Sequence, residues 1–182
     1  MSLLWFAEWL DTHEWSTALH ESLWAYPIIE STHVLSIMWF VGTIIFVDLR
    51  LLGIYMTQTA VSEVTRRVLP WTVSGFVLTF VTGLLLFYAI PVRTYQSVFF
   101  RVKVIMLLVA FANILWFHYR LKVHQPVWDT RTKLPGNVRA AAMTSLSCWA
   151  TVIVMGRMIA YNWFDCDRPQ PDWVITLAGC VV

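Results

Sequence analysis

The chain has 182 residues, 58% of them hydrophobic and 13% charged, with a net charge of +2; its mean hydropathy is +0.63. That is the length of one domain but far too apolar for a surface facing water, so most of the exterior has to meet lipid. The Lys and Arg residues lie between apolar segments and not in a stripe with interleaved aromatics, which speaks against nucleic acid as a partner. No Ser-His-Asp arrangement, phosphate loop or paired carboxylate motif points to hydrolysis or nucleotide chemistry.

Residues 1–25 form an N-terminal segment in which Glu8, Asp11 and Glu14 stand where a secretory signal would carry cations, so the opening reads as mature protein. Leu3, Leu4, Trp5, Phe6, Trp9 and Leu10 predict a short helix lying in the outer membrane interface, its acidic side packed on a partner or on the bundle's own mouth. His13 and His20 belong to this segment.

Crossing a hydrocarbon core of about 30 Å takes about 20 apolar residues in helical form, because backbone polar groups in lipid must bond within their own segment. Four runs qualify, at residues 27–52, 70–90, 97–119 and 140–163. Pro27 and Pro70 fall in predicted first turns, where a missing N–H costs little, and Pro91 follows the end of the second run. The expected fold is an all-α integral membrane bundle of four transmembrane helices over residues 26–164, followed by a tail over 165–182.

Arg50, Arg66 and Arg67 flank the first connection, and Arg120, Lys122, Arg131, Lys133 and Arg139 the third, which makes both cytoplasmic. The acidic N-terminal segment and the tail, with three Asp against one Arg, then lie outside; in a bacterial inner membrane both termini are periplasmic. In that compartment Cys166 and Cys180 can form a disulfide. The string Leu177-Ala178-Gly179-Cys180 looks like a lipoprotein cleavage box but stands far from any N-terminal signal.

Ionisable side chains inside spans are costly and tend to mark function. Glu30 and His33 share a face of span one, Lys103 opens span three, and Arg157 closes span four. Helix polarity brings all four to one outer layer. One alternative is an ion-pair network of Glu30 with Lys103 or Arg157. That network leaves surplus positive charge, which asks for an anion; a haem supplies two propionates and offers its iron to His33 and Lys103, with His20 as the alternative to Lys103. Gly75, Thr79 and Gly83 form a small stripe along span two that packs helices or admits a flat macrocycle. His118, with His124 near it, belongs to an inner layer beside Asp48 and Arg50, which read as an interfacial pair.

The stretches Tyr26-Pro27-Ile28-Ile29-Glu30-Ser31-Thr32-His33, Asp48-Leu49-Arg50, Leu69-Pro70-Trp71, Thr82-Gly83-Leu84, Phe100-Arg101-Val102-Lys103 and Gly156-Arg157 resemble an uncharacterised family of short four-helix bacterial membrane proteins, a domain of unknown function. More distantly, His33, the Thr-Gly-Leu of span two and Lys103 are similar to the membrane protoporphyrinogen oxidase that carries haem b and to the copper resistance protein D group. The oxidase resemblance implies His33 and Lys103 as haem ligands; the run of His and Tyr typical of that family is absent, so its substrate is not implied.

The resulting expectation is a haem-b membrane protein. His33 and Lys103 are its axial ligands, Arg157 with Arg101 holds propionates, and Glu30, Gly75 and Gly83 complete the cofactor-binding set. Such a protein passes electrons between a periplasmic donor and quinone, alone or within a homo- or hetero-oligomeric membrane complex. Copper handling through Met38, Met106, Met155, Met158, Cys148 and His33 is a second reading, and a non-catalytic subunit whose charged layer docks a partner is a third.

Overall fold

The computed structural model describes residues 3–131, 133–161 and 163–180; Met1 and Ser2 of the N-terminal segment and Val181 and Val182 of the tail lie outside the described residues. Among the described residues the chain is all-helical: α1 Leu4–Asp11, α2 Glu14–Glu21, α3 Ala25–Leu52, α4 Val61–Ala89, α5 Pro91–Tyr95, α6 Val98–Asp129, α7 Gly136–Met158 with a 3-10 turn Ile159–Tyr161, and α8 Asp172–Ala178. Four of these, α3, α4, α6 and α7 with its 3-10 turn, are long and apolar enough to cross a membrane. Only 17% of the most apolar window of α4, and 17% of that of α6, is buried within the protein, so most of their apolar side chains are left for lipid to cover.

Two helices begin or end well outside the expected spans. The first turns of α4 looked like loop because residues 61–69 are polar, yet Glu63 pairs with Arg66 and Arg67 at helical spacing. A carboxylate from far along the chain completes that start: Asp129 accepts from the Ser62 backbone N–H at 2.9 Å and from its hydroxyl at 2.6 Å. Pro70 is therefore interior to α4 and not in its first turn. Likewise α6 runs ten residues past position 119, through Pro126. His124, expected in a loop, sits on this helix and stacks on Trp128 with ring centroids 5.6 Å apart.

The N-terminal segment folds as two short helices where one was expected. Ser16 of α2, fully buried, donates to the Tyr88 carbonyl at 2.7 Å, and the Leu3 backbone N–H donates to the Tyr95 hydroxyl at 3.0 Å. The acidic segment thus packs on its own chain.

The chain divides into two compact units. The first comprises residues 1–34, 79–105 and 152–182; the second comprises 35–78 and 106–151. Each of the four long helices contributes one stretch to each unit. In the second unit Leu51, Val61, Phe117, Trp128, Leu134, Val138 and Ala142 form a buried apolar cluster. Arg50, only 1% exposed, donates from Nε to the Thr59 carbonyl at 2.7 Å and from Nη2 to the Arg131 carbonyl at 3.0 Å. It therefore closes two connections of this unit by bonding backbone carbonyls, and the expected pair with Asp48 is replaced.

In the first unit Cys166 and Cys180 form a disulfide across 14 positions. Gly179 ends α8 in the left-handed region at φ +69, and a Cβ there would stand 2.6 Å from Arg101 Nη2. The string that looked like a cleavage box is a helix stop.

Candidate functional site

His33 lies in the first unit, where its Nδ1 is 2.8 Å from the Thr82 hydroxyl oxygen. The Thr82 hydroxyl itself donates to the Thr79 carbonyl at 3.2 Å, and that same carbonyl lies in hydrogen-bonding reach of His33. In the tautomer in which the Thr82 proton goes to that carbonyl, Nδ1–H is the donor of the His33 bond and the lone pair stands on Nε2. The Cε1 edge of the ring lies against Gly83, where a Cβ would stand 3.1 Å from Cε1. A β-carbon at position 83 would have to displace the ring.

Lys103, on α6 of the same unit, is close enough to His33 to act on it electrostatically. Its Nζ passes over α7 at Gly156, where a Cβ would be 3.6 Å away. Four spans therefore supply this one neighbourhood: His33 from α3, Thr82 and Gly83 from α4, Lys103 from α6 and Gly156 from α7. Each small residue faces a large polar side chain from another helix, which is how basic groups are admitted between closely packed helices.

The remaining expected members stand apart from this contact. Arg157 is exposed, its guanidinium 5.3 Å from the Tyr161 ring centroid. Arg101 donates from Nη2 to the Ala178 carbonyl at 2.6 Å and lies 5.2 Å over Tyr95, while its buried Nε makes no hydrogen bond. Glu30 is exposed, and His20 meets Tyr26 edge-on with centroids 5.4 Å apart. Gly75 belongs to the second unit, where the Phe40 backbone fills the notch at 3.1 Å. At that position the small stripe packs helices.

Ion pairs among the described residues join Glu63 with Arg66 and Arg67, and Arg93 with Asp167 at 3.7 Å. None of them includes Glu30, Lys103 or Arg157, so the expected ion-pair network does not form there. Arg101 is likewise in no ion pair among the described residues. Among the described residues no three His, Cys, Asp or Glu gather as a metal cluster. Cys148 and Met38 belong to the second unit, whereas His33, Met155 and Met158 belong to the first.

The sequence reading noted Thr82 as part of a motif but missed its role as the group that orients His33. A hydroxyl residue directly before a glycine within an apolar span was the signal. No curated protein and no solved structure matches the chain. The pattern of one family, described as a family of unknown function (DUF6644), matches residues 8–162, across all four long helices. On that match the chain belongs to the DUF6644 family.

Proposed function

We propose that the protein binds haem b in the bacterial inner membrane and passes electrons between a periplasmic partner and quinone or a neighbouring subunit. The observation that carries this reading is the orientation of His33. Histidines that ligate metals donate their other ring N–H to an oxygen partner, which sets the tautomer and aims the lone pair; Thr82 provides that oxygen at 2.8 Å. Lys103 offers the second nitrogen, bound as the free amine with its proton released. Arg157 and Arg101 suit the two propionates, since neither joins an ion pair among the described residues. When bound, the haem supplies a one-electron couple.

The membrane orientation belongs to the same reading. The concentration of Lys and Arg in the first and third connections favours a cytoplasmic side there and a periplasmic side for both termini. The Cys166–Cys180 disulfide supports this, since such bonds persist in oxidising compartments. Exposed Trp5, Trp9 and Trp15 suit α1 and α2 to the outer interface.

Purified protein is expected to show a Soret band that shifts on reduction. His33→Ala should abolish it, and Lys103→Met should retain the protein while altering the reduced spectrum. A colourless preparation without extractable haem would overturn this reading and leave the non-catalytic subunit in its place.

A further inference from the structure

The second unit contains a cavity of about 90 Å³, room for several water-sized particles. Its polar lining is Asp48, Thr65, Thr72, Asn113, His118 and Ser145; the rest is aliphatic or aromatic. Asp48 is 4% exposed and its Oδ2 makes no hydrogen bond. A buried carboxylate oxygen without a partner is expensive, and inside a membrane span it marks a site that something else completes.

What completes it follows from counting protons. Thr65 donates its hydroxyl to the Val61 carbonyl at 2.9 Å, and the single Thr72 hydroxyl proton is shared between the Thr43 hydroxyl oxygen at 2.9 Å and the Val68 carbonyl at 3.1 Å. Asn113 donates its amide to the Ala141 carbonyl at 3.0 Å. His118 Nδ1 lies 3.1 Å from the Ile114 carbonyl, which only accepts, so Nδ1–H is the donor of that bond. Ser145 alone brings a hydroxyl to the Asp48 carboxyl. One Asn113 N–H and the His118 Nε2 remain over, and the oxygen atoms facing the cavity are a carboxylate, an amide oxygen and hydroxyl oxygens.

The charged neighbours do not answer Asp48. Arg50, two residues on, gives Nε and Nη2 to the Thr59 and Arg131 carbonyls while its buried Nη1 makes no hydrogen bond, and Asp129 is taken by Ser62. Among the described residues no ion pair includes Asp48. A lone carboxylate among neutral oxygen acceptors in a mostly apolar cavity suits a hard cation, and one positive charge cancels it, whereas a divalent ion would leave a net charge in low dielectric.

We infer that this cavity is a binding site for a monovalent alkali cation, held by Asp48 with oxygen atoms of Ser145, Asn113 and the neighbouring threonines. The site is independent of haem. It is tested on the full-length protein in nanodiscs, prepared in choline chloride, by following thermal unfolding while NaCl, KCl or LiCl replaces choline at constant ionic strength.

The expected result is a saturable rise of about 5 °C with at least one alkali cation and none with choline. Asp48→Asn should abolish that rise while unfolding in choline at or above the wild-type temperature. Thr72→Val, which keeps the carboxylate, should raise the half-saturating concentration several-fold, so the inference stays testable if Asp48→Asn does not fold. Equal unfolding temperatures in all four salts would overturn it, with the cavity then holding water and the carboxyl a proton. A cation response surviving in Asp48→Asn would overturn it equally. Haem content enters neither readout.

Discussion

The two units of the protein present opposite chemistries to the same solvent problem. In the first, His33, Lys103, Arg101 and Arg157 bring nitrogen donors and positive charge without a paired carboxylate among the described residues. In the second, Asp48 lines a cavity with one carboxylate oxygen in no hydrogen bond, beside hydroxyl and amide oxygens. Burying a charge away from water is tolerated when a partner completes it. On the two proposals made above, basic side chains outside any ion pair suit an acidic cofactor in the first unit, and the lone carboxylate of the second suits a small cation.

Substitutions that strike one unit and spare the other can break this contrast. The largest effect is expected from His33→Ala, which should remove bound haem altogether while leaving the alkali-cation response intact; joint loss of both would show that the units do not act separately. Arg50→Met comes next. It leaves the Thr59 and Arg131 carbonyls of the second unit without their donor, at a cost of about 2–4 kcal/mol in unfolding measurements, with haem bound per folded protein unchanged.

Removing the disulfide by Cys166→Ser with Cys180→Ser opens a loop of 14 positions, for which the chain-entropy view expects about 3 kcal/mol, confined to the tail of the first unit. Limited proteolysis should then cut within residues 165–180, and the wild type should behave likewise only after reduction. The smallest effects come from two glycines. Gly75→Ala presses a methyl against the Phe40 backbone at 3.1 Å and should cost about 1–3 kcal/mol without altering any haem spectrum. Gly83→Ala presses on the His33 ring at the same distance and should shift that spectrum. If the two behave alike, His33 is a packing residue and the contrast between the units fails.

Much of the architecture was legible in the chain because its causes are local. Runs of apolar residues long enough for a hydrocarbon core can only be helices, and four of them stand at the expected places. Helix direction and residue spacing also sufficed to bring His33 and Lys103 to one level, since rise per residue is constant. What eluded the sequence were contacts whose partners lie far along it. Thr82 orients a ring 49 positions away, Asp129 caps a helix start 67 positions away, and Arg50 reaches a carbonyl 81 positions away.

Asp48 illustrates the difference most clearly. By position it stands near a helix end, two residues from an arginine, and reads as half of a surface pair. The fold turns the arginine toward two backbone carbonyls and leaves the carboxylate facing a cavity. Hydropathy and helical period are properties of each segment alone, so membrane class and span number follow from the order of residues. Whether a buried polar atom is satisfied depends on atoms from other helices, so the character of both sites comes from packing.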